Sequence, residues 1–300
     1  MSDRAATVAD AGQRRHAAPG SVTVVVDIDA AIGYVVAHGD PVERARLSFL
    51  RAGVVPAEDV VERITAGQTS EGGWPATGDG PLPSVDATCF RLGELDDLGG
   101  LRGPAVERAL AWLVGVQHPD GTWQEDEALA ADAPAWAAPG DPEATLYQTS
   151  VAGFWLTVAV VEAYPRHEWP ARYVAALQAA AAYVVAHVRP DGTWPSFLAA
   201  GWHAAVLLHQ QQHFYESARM QLVLAERLDG MAPADLASMA AAVRRVNIGD
   251  DWLLRAAYKR LGETQRTDGG WDSAEGPIFD VNTTLTALRA VLPRVGAGPA

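Results

Sequence analysis

Four copies of one turn constrain this chain more than any other feature of its sequence. They are Gln68 to Trp74 (QTSEGGW), Gln117 to Trp123 (QHPDGTW), Val188 to Trp194 (VRPDGTW) and Gln265 to Trp271 (QRTDGGW). Each ends in Gly-x-Trp, and three carry Gln six residues ahead of the Trp; the third has Val188 there. Asp-Gly and Gly-Gly make tight turns because Gly accepts positive φ. Each turn stands between two segments of helical pattern. Such a recurrence marks a repeat architecture, in which every unit covers its neighbour's apolar face.

The intervening segments read as helices. Tyr173, Val174, Leu177, Ala181, Val184 and Val185 fall on one 3.6-period face. Phe214, Tyr215, Ala218, Leu222 and Leu228 suggest another helix, more apolar all round. β-branched alternation is confined to the short run Val22 to Val26. Helix starts are expected near Ile28, Val42, Pro56, Val85, Ala105, Ala144, Ala171, Phe197, Gln212, Pro233, Asp250 and Val281, with Pro and Gly punctuating the gaps. These elements predict an all-α fold, a single (α/α)6 toroid of about twelve helices, six inner and six outer. A double ring also explains the nearly all-apolar helices, since an inner helix is covered on every side. With no composition break after Gly20, the expected organisation is a flexible tail over residues 1–20 and one domain over residues 21–300.

Composition narrows the function classes. Hydrophobic residues make up 49% of the 300, enough for a large core, and the formal net charge of −14 repels phosphate backbones, which argues against nucleic-acid binding. Cys89 is the lone cysteine, so neither an internal disulfide framework nor a multi-thiolate metal cage can form. Residues 1–20 lack an apolar secretory core, and no stretch approaches the roughly 20 continuous apolar residues of a bilayer span. The expected compartment is the cytoplasm.

The Gln-x(3)-(Asp/Gly)-Gly-x-Trp turn resembles the QW motif of the squalene cyclase and prenyltransferase repeat, over residues 55 to 292. The resemblance is closest to the β domain of class II terpene cyclases. It implies an α/α toroid in which Gln68, Trp74, Gln117, Trp123, Trp194, Gln265 and Trp271 tie the outer helices together. Two further stretches carry it. Pro83 to Cys89 (PSVDATC) stands where class II cyclases have Asp-x-Asp-Asp-Thr-Ala, with Ser84 for the first Asp, Ala87 for the last, and the middle Asp kept as Asp86. The resemblance implies that Asp86 protonates the substrate. Gly201-Trp202-His203, followed by His213-Phe214-Tyr215, resembles the Lys-Trp-His…Tyr-Tyr stretch of bacterial class II diterpene cyclases. Class II cyclases place their site between two helical domains, and this chain has room for one. Either a single toroid forms the pocket, or a second subunit completes it, or catalysis has been lost.

The residues can support such chemistry. A carboxyl group in an apolar pocket stays neutral because burial disfavours its charged form. Asp86, flanked by Val85, Ala87, Cys89 and Phe90, suits that role. It also lies near a helix start, where capping is an equal reading. A cation formed on a hydrocarbon needs aromatic faces. Trp155, Phe154, Trp202, Phe214, Tyr215, Trp252 and Phe279 are candidate walls, and His203 or His213 a candidate terminating base. The expected catalytic set is Asp86, His203 and Tyr215; the substrate-binding set is Trp202, Phe214, Trp155, Asp280 and Thr88. Asp280 heads the same pattern after the fourth turn; it reads as a helix-start residue or as a partner that orients Asp86 across the ring's mouth.

Other chemistries have weaker signals. His209 and His213 share a helix face at i, i+4, but three Gln neighbours surround them and no third ligand is evident, so no metal site is expected. Asp96-Asp97 lacks the further acid of Asp-Asp-x-x-Asp, so ionisation of a diphosphate is not supported. Arg244, Arg245, Lys259 and Arg260 form the best basic patch for a diphosphate, with ordinary surface charge on two helices the favoured reading. No cofactor is firmly implied; Mg2+ would enter only with a diphosphate substrate. Glu125-Asp126-Glu127 reads as a solvated loop. The leading reading is a protonation-initiated isoprenoid cyclase acting on a polyprenyl or terpenoid molecule of C15 to C20 size. A non-catalytic lipid- or partner-binding toroid, or a prenyltransferase-like subunit, are the alternatives.

Overall fold

The computed structural model describes residues 25–77, 80–99, 101–131, 133–163, 168–246 and 251–293. The expected tail over residues 1–20, and Val22 to Val24 of the strand-like run, lie outside them; Val25 and Val26 are not in a strand. Among the described residues twelve α-helices follow one another: α1 (Ile28–His38), α2 (Pro41–Ala52), α3 (Glu58–Thr65), α4 (Val85–Asp96), α5 (Pro104–Val116), α6 (Pro142–Ala163), α7 (Ala171–His187), α8 (Leu198–Gln210), α9 (Phe214–Arg227), α10 (Pro233–Arg245), α11 (Asp251–Thr264) and α12 (Asp280–Val291). The starts fall within two residues of the sequence expectation. The only ladder among the described residues pairs β1 (Trp74–Pro75) with β2 (Pro83–Ser84), antiparallel, with Trp74 opposite Ser84.

The even-numbered helices form the inner ring. α4 packs on α6, α6 on α8, α8 on α10, α10 on α12 and α12 on α2. The ring closes between α2 and α4 through an ion pair of Arg46 with Asp97. The odd-numbered helices lie outside: α1 against α12 and α2, α3 against α2 and α4, α7 against α6 and α8, α9 against α8, α11 against α10. Inner helix α6 is buried from Gln148 to Val160 without a break. It is long and apolar enough to cross a membrane by length and composition, which corrects the expectation that no segment is; here it is a core helix, its apolar stretch 83% buried. Its Ser150 and Thr157 hydroxyls donate to the Leu146 and Gly153 carbonyls within the helix.

The repeated turn is the joint between units. The Gln68, Gln117 and Gln265 amides each donate twice: to the carbonyl of their own turn's Gly (Gly72, Gly121, Gly269), and to an outer-helix carbonyl of the next unit (Ala105, Ala176) or its cap (Asp27). The Trp indoles fill the space beneath, and the backbone N–H of Trp74, Trp123 and Trp271 donates to Thr88, Thr149 and Thr284 of an inner helix. One Gln and one Thr thus weld turn, outer helix and inner helix. The third unit lacks both bonds; Trp194 donates instead within its own loop, to Phe197.

The turn glycines are required on two counts. Gly269 has φ +92°, and a Cβ there would stand 2.2 Å from the Ala30 carbonyl oxygen of α1. Gly269→Ala is expected to lower stability by on the order of 3 kcal/mol, the sum of backbone strain and a clash with rigid backbone. Gly33→Ala, where nothing lies within 4 Å of the added methyl, is the control and is expected to stabilise. Thermal melting of the pair distinguishes a joint from a spacer; equal melting temperatures would refute it.

Candidate active site

A cavity of about 550 Å³ occupies one end of the ring. Its wall is built from the facing stripes of the inner helices: Asp86, Cys89 and Phe90 on α4, Tyr147, Phe154 and Trp155 on α6, Trp202 and His203 on α8, Asp235 and Ser238 on α10, Asn282 and Thr286 on α12. Loop residues Trp136, Glu275 and Phe279 complete its rim.

Asp86 sits in the first turn of α4 but does not cap it. Ser84 is the cap: its hydroxyl accepts from the Ala87 N–H at 3.0 Å. The Asp86 carboxyl is therefore free to face the cavity. Its Oδ2 accepts from the Trp136 indole N–H at 3.1 Å, and the Tyr147 side chain lines the cavity close enough to act on its charge. Burial raises its pKa above the ordinary Asp value; the Glu275 charge pushes the same way, and Trp136 and Tyr147 oppose.

Beneath Asp86 lies a second acid. Glu125, in the loop after the second turn, is buried rather than solvated. It accepts from the Ser84 hydroxyl at 2.8 Å and from the Val85 and Asp86 backbone N–H groups at 2.9 Å. It thereby satisfies orphan donors at the start of α4 and meets the positive end of that helix. The carboxylate missing from position 84 is present at the same helix start, supplied by another repeat. Burial raises the Glu125 pKa, and its three hydrogen bonds counter that.

The aromatic wall continues from there. Phe154 meets Trp155 edge to face with centroids 4.9 Å apart, and His203 lies 4.9 Å from Phe154 and 5.8 Å from Trp202. Desolvation lowers the His203 pKa to about 3, so the ring is neutral at ordinary pH. The opposite end of the cavity is ionic. Arg46 donates to Asp97 through Nε and Nη2 at 3.1 and 2.6 Å, and to Asn282 at 2.9 Å. Arg289 pairs with Asp96 and Asp97, and Arg245 with Asp96 and Glu162. This cluster partitions the ring. A second cavity of about 610 Å³ on its far side shares Ala241, Arg245 and Arg289 with the first. Its carboxylates, Asp96 and Glu162, are all held by arginines, so it offers no acid comparable to Asp86.

Of the sequence-predicted residues, the cavity brings together Asp86, His203, Trp202, Trp155, Phe154 and Phe279. Tyr215 and Phe214 are a correction. They open outer helix α9, 68% and 55% exposed, and neither lines the cavity, because the buried stripe of α9 is Ser217, Met220, Gln221 and Leu224. Thr88 is fully buried with its hydroxyl on the Trp74 N–H, so it is a joint of the fold. Asp280 is bonded to Arg266 and to the Ser273 N–H and does not face Asp86. His213 and Trp252 are also outside the cavity lining. The basic patch disperses: Arg245 is buried against Asp96, while Lys259 and Arg260 pair with Glu263 at the surface. Among the described residues no three His, Cys, Asp or Glu side chains are placed to hold a metal ion. Trp136, Tyr147, Glu125 and Glu275 are the site residues that sequence reasoning missed.

Because the Trp136 bond stabilises the ionised form, Trp136→Phe is expected to raise the Asp86 pKa further. Any activity that needs protonated Asp86 would then persist to higher pH. A pH–rate profile whose alkaline limb fails to move upward would contradict this geometry.

No protein-family model matches this sequence, and no curated protein sequence does. Solved structures do. A variant of the type II terpene cyclase MstE from Scytonema, in complex with its product merosterolic acid A, is similar with a TM-score of 0.52 at 15% identity, over 88% of this chain and 94% of that one. Another, in complex with its substrate geranylgeranyl dihydroxybenzoate, gives 0.53 at 13% identity, over 88% and 95%. A protein from Actinoplanes gives 0.51 at 18% identity, over 88% of each chain. At such identities the likeness speaks for architecture: this chain has the squalene-cyclase-like helical toroid fold of the type II terpene cyclases.

Proposed function

We propose that this protein is a class II-type isoprenoid cyclase in which Asp86 starts the reaction by protonating a terminal alkene or epoxide. The observation that carries the reading is the setting of Asp86: a carboxyl group with a raised pKa, held by the Trp136 indole beside Tyr147 at the head of an aromatic-lined cavity. The Trp136 bond marks Oδ2 as an acceptor and leaves Oδ1 to carry the proton. Transfer of that proton to the substrate leaves a carbocation, and alkene π electrons close the ring bonds in turn. Trp155, Phe154 and Trp202 present faces that stabilise the cation without capturing it. The last proton leaves to neutral His203 or to water, and Asp86 regains one through the open rim, so the conversion is a net isomerisation. Tyr147 takes the place expected of Tyr215. Burial holds its hydroxyl well above the ordinary phenol pKa, so it stays a neutral hydrogen-bond donor.

The cavity volume falls within the usual range for small-molecule sites, about 300–1,000 Å³. The two neighbouring cyclase structures are matched almost end to end, and they are bound to a polyprenyl-arene and its cyclised product. That supports a site complete in one toroid, without a second subunit. The test is purified protein incubated with geranylgeraniol, a geranylgeranylated dihydroxybenzene, geranylgeranyl dihydroxybenzoate, squalene, and geranyl, farnesyl and geranylgeranyl diphosphate, with products read by mass spectrometry. A cyclic isomer from any of them is expected. None from the whole panel would move the reading to a non-catalytic lipid-binding toroid.

A further inference from the structure

The cavity's charges say what kind of head group the substrate carries. At the rim, Asp86, Asp235 and Glu275 all line the cavity, and no Lys or Arg among the described residues lines that end. Among the described residues neither Asp235 nor Glu275 has a cationic partner. Phe90, Trp136 and Phe279 stand beside them, each 41–56% exposed although each lines the cavity. At the other end, three guanidiniums reach the wall or partition, and each is already matched: Arg46 by Asp97, Arg289 by Asp96 and Asp97, Arg245 by Asp96 and Glu162. An anion at the rim meets three carboxyl groups. An anion at the partition must break an ion pair whose members are nearly all buried. The chain's net charge of −14 adds an unfavourable far field.

We infer that the substrate is an isoprenoid with an uncharged head group, such as a polyprenylated phenol or alcohol, and that diphosphates and carboxylated heads are rejected by the acidic rim. With the terminal alkene at Asp86, the head lies toward the ionic partition, where every guanidinium already has a carboxylate and an uncharged head breaks no ion pair. An anionic head would also have to pass the carboxyl groups of Asp235 and Glu275 at the rim, and like-charge juxtaposition discriminates strongly. This rests on the cyclase reading only in naming an isoprenoid; the discrimination is a property of the cavity.

The experiment is a direct binding titration of the full chain, followed by tryptophan fluorescence. Its ligands are a geranylgeranylated dihydroxybenzene, the same arene carrying a carboxylate, and geranylgeranyl diphosphate with and without Mg2+. The uncharged arene is expected to bind about tenfold or more tighter than either anion. Added salt should narrow that gap, and so should the Asp235→Asn, Glu275→Gln double variant. Tighter binding of either anion by the unmodified protein overturns the inference; if that anion is also cyclised, the cyclase reading stands without it. Preferential binding of the uncharged arene with no cyclic product supports the inference and sinks the cyclase reading. Binding of none of the three overturns both.

Discussion

Asp86→Asn is expected to abolish cyclisation while raising the melting temperature at pH 7. The two effects have one cause. The amide keeps the shape of the carboxyl group and an oxygen for the Trp136 indole, but has no acidic proton to give. Loss of the initiating acid should lower turnover by a factor of about 10³ or more, at or above the middle of the range for loss of a general acid. For stability, the sign follows from the raised pKa. A carboxyl group whose pKa is higher in the folded protein favours folding fully below its unfolded value, and that contribution is lost as pH rises through the folded value. At pH 7 the native protein therefore bears the cost of a carboxyl group that burial and the charge of Glu275 make harder to ionise than in the unfolded chain. Asn removes that cost, and a gain of about 1 kcal/mol would appear as roughly 2 °C in a domain of this size. The difference should shrink as pH falls from 7 to 4, because less of the cost of ionising the buried group remains. Melting curves at the two pH values check it. A variant that melts lower than wild type at pH 7 would mean that the Asp86 charge stabilises the fold, contrary to the proposed acid.

The largest loss of stability is expected from Asp97→Ala. Asp97 is 2% exposed, and both Arg46 and Arg289 pair with it. Its removal leaves a guanidinium on α2 with Asn282 as its remaining partner and puts a gap in the α2–α4 closure. Breaking a buried pair from one side costs about 3–5 kcal/mol, most of it the penalty of the uncompensated charge. A melting temperature lower by about 6–10 °C follows for a domain of this length. The Arg46→Met, Asp97→Leu double variant should be less damaging than Asp97→Ala alone, because it removes the charge together with its partner. If Asp97→Ala melts within a degree of wild type, the closure is not held by this pair.

How much of this was legible in the sequence follows from where each residue sits. The turns were readable because their chemistry is local: Gly at positive φ, and Gln and Trp at fixed offsets. The helices followed from period, and Asp86 from its place after the first turn. Glu125 was misread because its run of acids looks solvated. Asp126 does face outward, bonded to the Ala128 N–H, while Glu125 beside it turns under α4. Only the position of β2 and the start of α4 reveals that, forty residues away in sequence. Trp136 lies in an aperiodic loop and carries no pattern at all. Tyr215 and Phe214 misled for a different reason. Both are exposed at the start of α9, and the true stripe of that helix was hidden because two of its members, Ser217 and Gln221, are polar. They are tolerated inside because Ser217 donates to the Ala205 carbonyl and accepts from Gln221. The ionic partition needed distant parts of the chain to meet, as Asp96 does with Arg245 and Arg289.

The bond between Gln265 and Asp27 joins residues 238 apart and makes the last turn grip the first helix as the first and second turns grip their successors. A linear array of repeats can grow or shrink by one unit and needs polar terminal units to shield its ends. This array has neither freedom nor need. Lengthening it by one helical pair would leave Gln265 facing a stranger, and shortening it would strand two apolar flanks in water. The number of repeats is therefore fixed by geometry, and evolution can alter the chamber's size only through the side chains and loops that line it.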